Sequence, residues 1–291
     1  MNEDLLNRLS DVEISTSTPA LHTIQRRAAT MQRARYGRRI SATALVGSAA
    51  AAALVLGPTL PVLGGGTPPS SAQAMEVMLE ASAAAAEQPA AGEAAYWHVV
   101  TEYFQPDRSP DTQSREIWIG NNRPTVLIDT GVNVESGLEP GAAITIDSPG
   151  RWFLAGDWSG FADVPTDPDE LERALRAEME PYDNVEDRDQ HMFETVRGML
   201  TESPAPPLVR AALWEVLAGI PGITHIGPTT DSVGRPGVAL AYNEFQLIVD
   251  PDTGALLETL FTSGPSEAAP DGQTYRGTLI EEGPADVAPV P

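Results

Sequence analysis

Phe245-Gln246-Leu247-Ile248-Val249-Asp250-Pro251-Asp252-Thr253-Gly254 decides the fold, together with the apolar run 256–261 that follows it. The first half is a short apolar strand pattern. Asp-Pro-Asp-Thr-Gly is turn chemistry: proline presets φ, aspartate accepts from nearby backbone N–H groups, and glycine tolerates positive φ. A second apolar run starts at once. Strands joined by so short a connection pair antiparallel, because a parallel pair needs a long crossover.

Working outward, residues 223–226, 238–242 and 274–280 also read as strands, so the last third of the chain is a meander. A second strand block lies earlier: residues 96–104 and 115–119 alternate, Asn121-Asn122 marks a hairpin turn, and residues 125–128 are apolar. Residues 143–146 and 152–154 are shorter strand candidates. Between the blocks come three helices. Asp167 caps the first, with Pro168 at its first position and Glu170 three residues on, and Leu171, Leu175 and Met179 form its apolar stripe. Residues 189–200 and 208–217 form the other two, with Met192, Val196, Met199 and Leu200 facing inward on the former. One more helix, 75–87, precedes the first strand block. The order helix, strands, helices, strands predicts an α+β domain with a curved antiparallel sheet packed by helices. Both strand blocks are expected in one sheet, since neither alone has enough apolar surface.

The N-terminal quarter has another character. Residues 40–75 carry no charge, and 40–63 are apolar. As a helix, residues 40–57 would extend about 27 Å at 1.5 Å per residue, most of a hydrocarbon layer of roughly 30 Å. Arg26, Arg27, Arg33, Arg35, Arg38 and Arg39 precede this stretch, and no basic residue follows it until Arg108. The positive-inside rule then predicts a cytoplasmic segment 1–39, a transmembrane helix 40–63, a Gly/Pro/Ser linker 64–73, an extracytoplasmic domain 74–283 and a disordered tail 284–291. Ala72-Gln73-Ala74 resembles a cleavage site, but it lies far beyond the apolar run and the length of ordinary signals. Arg38-Arg39 suggests a twin-arginine signal, yet polar Ser41 stands where an apolar residue is usual.

Net charge is −23, with all 18 basic residues arginine. Seven of them precede residue 40 against four acids, so the rest of the chain is strongly acidic. Such a domain repels phosphate backbones, which argues against nucleic acid as a partner. Without cysteine there is no disulfide, thiol chemistry or thiolate metal site.

No catalytic, cofactor-binding or metal-binding residue stands out, and the chain reads as a non-enzyme. His22, His98, His191 and His225 have no metal-ligand spacing and read as structural or surface residues. Asp250 and Asp252 lack the further ligands of a calcium loop. Gly156-Asp157-Trp158-Ser159-Gly160 has the wrong spacing for a nucleophile elbow. Trp97, Trp118, Trp152, Trp158 and Trp214 read as core, or as the lining of a sheet that holds an apolar molecule.

Several segments together resemble a known family: Tyr96-Trp97-His98-Val99-Val100-Thr101-Glu102, Arg115-Glu116-Ile117-Trp118-Ile119, the Pro165-Thr166-Asp167-Pro168 helix opening, Ser203-Pro204-Ala205-Pro206-Pro207-Leu208, Leu217-Ala218-Gly219-Ile220-Pro221-Gly222, and the turn at 245–254. In this order they resemble the actinobacterial CU044_5270 family of membrane-anchored proteins, over most of the chain. The resemblance implies no assigned activity and no catalytic residue. It implies an association with extracytoplasmic-function sigma factors, hence a sensor or regulator whose residues 1–39 contact a cytoplasmic sigma factor. The element order is similar to the half-barrel of lipoprotein carriers, which implies the alternative: an extracytoplasmic domain that binds a lipid or other apolar ligand.

Overall fold

The computed structural model describes residues 70–90, 92, 94–105, 113–130, 141–146, 158–179, 187–265 and 272–290. The expected cytoplasmic segment and transmembrane helix, most of the linker, the 152–154 strand and Trp152 lie outside these residues. Among the described residues, no helix is long and apolar enough to cross a membrane.

Helix α1 (Ala72–Ala86) is followed by strands β1 (Tyr96–Phe104), β2 (Gln113–Gly120), β3 (Thr125–Thr130) and β4 (Ala143–Ile146). A 3-10 helix, Trp158–Asp163, leads into α2 (Pro168–Met179), α3 (Arg188–Thr201) and α4 (Pro207–Gly219). Strands β5 (Thr224–Thr230), β6 (Pro236–Tyr242), β7 (Phe245–Asp250), β8 (Ala255–Ser263) and β9 (Gln273–Ala285) complete the chain. The fold is α+β, and the strands form one nine-stranded sheet in the order β4-β3-β2-β1-β9-β8-β7-β6-β5. All pairings are antiparallel. Two meanders thus meet where β1 pairs with β9.

Local chemistry explains most boundaries. Gly254 N–H donates to the Asp250 carbonyl at 2.8 Å, and the Asp250 carboxylate accepts from Asp252 N–H and the Thr253 hydroxyl. Gly254 has φ +71°, and a Cβ there would lie 2.4 Å from the Ala81 carbonyl oxygen, so the turn is pressed against α1. Asp167 caps α2 by accepting from Glu170 N–H at 3.0 Å. The cap of α3 is Asp187, two residues before the expected start, accepting from Asp189 and Gln190 N–H. Helix α1 begins at Ala72, inside the stretch read as linker, because Ser71 caps it and also donates its N–H to Ile223. At the other end, β9 runs past the expected boundary: Pro284 and Ala285 pair with Trp97 and Tyr96. Those two residues correct the expected tail, whose disorder was inferred from Pro and Ala content without the partner strand in view.

The register gives the sheet two faces. Among the described residues, all four α-helices pack on the face carrying Leu240, Tyr242, Leu247, Val249 and Leu256, and there they form the main core. Trp214, Phe193, Met78 and Leu213 are wholly buried in it. Burying side chains of this size contributes about 1.5–3 kcal/mol each. On the opposite face the Asp231–Arg235 turn folds back over the strands. Arg235 pairs with Asp231 and donates to the carbonyls of Leu257 and Leu279, while Ser232 N–H and the Thr278 hydroxyl donate to buried Glu258.

Candidate functional site: an apolar strip between two polar borders

A second apolar cluster lies on the helix-facing side of β1–β4 and β9, separate from the main core. Its members are Val99, Ile117, Ile119, Leu127 and Leu279, with Trp97, Ile144 and Ile146 packed against them. The register places them together: Val99 pairs with Ile117, Ile117 with Leu127, Leu127 with Ile144, and Trp97 with Ile119. Side chains alternate between faces, so all of these point the same way.

Polar groups border this strip at both ends of β1. At one end, Trp97 meets Trp158 edge to face, with ring centroids 6.1 Å apart. The Arg210 guanidinium sits 5.9 Å from the Trp97 ring centre and donates to Glu282 at 2.6 Å. Arg210 also donates to the carbonyls of Leu200 and Ser203, satisfying the C-terminal end of α3 from the first turn of α4.

At the other end, six positions along β1 and about 20 Å away at the rise of an extended strand, stands Tyr103. Its hydroxyl donates to Glu202, the residue that ends α3, at 3.3 Å. Arg115 on β2 holds Asp129 on β3 through two hydrogen bonds of 2.8 and 2.9 Å. Burial raises the Glu202 carboxyl to about 7, against the pull of Arg115 and of the Tyr103 hydrogen bond. Burial and the neighbouring Glu202 push the Tyr103 phenol well above its ordinary value. Arg197, five residues before Glu202 on α3, is 7 % exposed and its pKa is lowered by burial. Its guanidinium carbon lies 5.3 Å from the Phe245 ring centre, while its Nε has no hydrogen-bond partner. The Gln113 side-chain oxygen, beside Tyr103, and Trp97 Nε1 are also buried without partners.

Native interiors leave few buried polar atoms unpaired. One such atom stands at each end of the strip, Gln113 Oε1 and Trp97 Nε1, while Arg197 Nε lies beside Phe245 at the margin of the main core. The arrangement suits holding a molecule with an apolar body. It does not suit acid–base chemistry: Glu202 and Asp129 do not form an open pair, because Asp129 is bound in both oxygens by Arg115. Among the described residues no cluster of three or more His, Asp or Glu is arranged to hold a metal.

The tryptophans separate into distinct roles. Trp214 is core and donates its ring N–H to the Gly254 carbonyl at 2.9 Å. Trp118 lies on the opposite face, stacked on His98 with centroids 4.4 Å apart. Trp97 and Trp158 border the strip. His225 is tied through its backbone to Ser71, and His191 lies on the partly exposed part of α3. The polar residues of the site escaped the sequence reading. Yet Gln113, Arg115, Ile117 and Ile119 alternate, and that spacing alone puts Arg115 on the face of two buried isoleucines.

No protein-family model matches the chain, and no curated protein matches it. Among solved structures, the chain is similar to a LolA superfamily protein from Nitrosomonas europaea. The two share 10% identity and a TM-score of 0.22, over 74% of this chain and 94% of that one. At that level the likeness carries no argument about fold details or function.

Proposed function

We propose that the domain is a binding module for a lipid or another apolar ligand, held on the β1–β4 strip beneath α3 and α4, and not an enzyme. The observation that carries the reading is the second apolar cluster, on the helix-facing side yet outside the main core, with unpartnered polar atoms at its borders. A purely structural core would gain by replacing Gln113 and Arg197 with apolar residues. Keeping them fits a surface that is completed by something else. A half-barrel closed by helices is the architecture this reading requires.

Trp97 and Trp158 provide the test. Full-length protein in lipid nanodiscs is exposed to fatty acyl probes that carry bromine, which quenches tryptophan on contact. Strong quenching in the native chain that falls sharply in the Trp97→Phe, Trp158→Phe variant supports the reading. Equal quenching in both proteins means the strip is closed packing, and the reading fails.

The same proposal takes the domain as exported and anchored through residues 40–63, as a member of the CU044_5270 family. The support is the arginine asymmetry and the ordered segments. Reporter fusions at Thr30 and Ala90 check the topology, and cytoplasmic activity from the second overturns it. A regulatory role through residues 1–39 has its support in the same segment. Sigma-factor recovery by the full chain, and its loss on removing residues 1–30, is the result that role requires.

A further inference from the structure

We propose that the outer face of α1, carrying Met75 and Leu79, is a membrane-docking surface that rests on the bilayer entered by residues 40–63. This docking rests on the anchored topology proposed above and is independent of the β1–β4 strip.

Helix α1 has two sides of different chemistry. Ala74, Val77, Met78, Ala81 and Ala85 are buried, and the helix packs on α4. On the other side Met75 is 41 % exposed and Leu79 47 %. One helical turn separates the two, so their side chains form a row. Ala72 and Ala83 extend that row in both directions along an open, shallow groove, and Glu76 and Glu80 border it. At 100° per residue the row lies between the buried side and this acidic border. A lone exposed apolar side chain is ordinary on a protein surface. Position in the chain sets this row apart.

The start of α1 is fastened to the end of α4 and to β5. The Ser70 hydroxyl donates to the Ile220 carbonyl, Ser71 N–H donates to the Ile223 carbonyl at 3.0 Å, and His225 N–H donates to the Ser71 hydroxyl oxygen at 3.2 Å. Ile226, the next residue of β5, is itself 47 % exposed, so a third large apolar side chain lies by the same fastening. Leu63, the last residue of the apolar run, is seven residues before Ser70. That stretch reaches at most about 25 Å when fully extended. Whatever course it takes, α1 begins within that distance of the end of the apolar run. A tether so short holds a surface at an effective concentration in roughly the millimolar range, and weak apolar contact is then enough. The occupant follows from chain length: the bilayer is the apolar body that this topology keeps beside α1.

Charge narrows the choice of lipid. Residues 72–86 include no Arg, and Glu76 and Glu80 flank the row. Interfacial helices rich in Lys and Arg hold anionic lipid. Here the contact is apolar, and the carboxylates favour zwitterionic phospholipid, with its ammonium groups, over an anionic surface.

The chain has no cysteine, so a single reporter position can be introduced cleanly. Full-length Met75→Cys, Leu79→Cys and Leu208→Cys are each labelled with an environment-sensitive fluorophore and placed in phosphatidylcholine nanodiscs, with and without a doxyl-lipid quencher. Leu208, 57 % exposed in the first turn of α4, is the control. It lies about 18 Å along that helix from Ile220. Labels at 75 and 79 are expected to be quenched at least about 3-fold more than the label at 208, because a docked face sits roughly 5–10 Å into the interface. Adding phosphatidylglycerol should reduce this excess, and raising the salt should restore it. Equal quenching at all three positions overturns the proposal. So does a blue-shifted label at 75 or 79 that lipid does not quench, since a protein segment such as residues 1–39, or a second copy, would then cover the row. Quenching that grows with anionic lipid overturns the zwitterionic surface assigned here. The two α1 variants are read separately, so misfolding of one leaves the other as the test. Failure of the chain to co-purify with the nanodiscs sinks the anchor reading and the docking with it, whereas every other outcome leaves the anchor standing.

Discussion

The β5–β8 meander and the β1–β4 meander face the same helices and are built on opposite terms. Under the first, Leu240, Leu247, Val249 and Leu256 meet Trp214, Phe193 and Leu213, and the Trp214 ring N–H, a buried polar handle, has its acceptor. Under the second, a smaller apolar strip is bordered by Gln113, Arg115, Glu202 and Tyr103, all buried, with the Gln113 side-chain oxygen unpartnered, and Arg197 lies between the halves, over Phe245. One half is packed for stability, and the other keeps expensive groups that packing alone does not require. In an interior at native density, polar residues of that kind are retained for specificity or for binding. Two halves of one sheet can therefore carry different tasks when the seam between them is a full-length strand pair.

Mutations can break this contrast. The largest effect belongs to the packed half: Trp214→Ala is expected to cost about 4 kcal/mol, read as a fall in the denaturation midpoint, because it removes the largest wholly buried side chain. A loss under 1 kcal/mol would mean the helices are not held by this core. Second comes the pH response of the polar half. The folded-state pKa of Glu202, about 7, lies above its ordinary 4.5. Its contribution is thus fully present below pH 4.5 and is lost as pH rises through 7, up to about 3 kcal/mol in all. Unfolding titrations at pH 4.5 and 8 are expected to show that loss in the native chain, and Glu202→Gln should remove this component of the pH dependence. A variant as pH-sensitive as the parent would place the titration elsewhere. Third, Arg197→Met is expected to leave stability unchanged or raise it by about 1 kcal/mol, since an unpaired buried cation gives way to an apolar chain. A loss above 2 kcal/mol would show that Arg197 serves packing, which sharpens the comparison the other way. The smallest effect is a control outside both halves: Asp167→Ala should cost about 1 kcal/mol through the lost cap of α2.

The packed half was legible because its instructions are local. The Asp250–Gly254 turn, the Asp167 cap and the spacing of Leu171 and Leu175 each state an element within a few residues. The central seam was not, since nothing in Tyr96–Phe104 or Gln273–Ala285 names the other as its partner across the whole domain. The site was harder still. Glu202 and Arg197 are ordinary members of a charged helix until α3 is laid on the sheet, and their meaning comes from Tyr103 and Arg115, nearly a hundred residues away. Arg115 alone left a trace, through its position in step with Ile117 and Ile119.

The β1–β9 pairing also governs when this domain can come into being. A chain emerging from the ribosome presents β1–β4 early, but β1 has no second neighbour until β9 appears. Synthesis runs at about 5–20 residues per second. The roughly 170 residues between the two strands therefore keep the edge of β1 open for about ten seconds or more. An open edge of that kind invites pairing with other chains. The sheet closes only once β9 is made, and the meander that waits is the one that holds the proposed site.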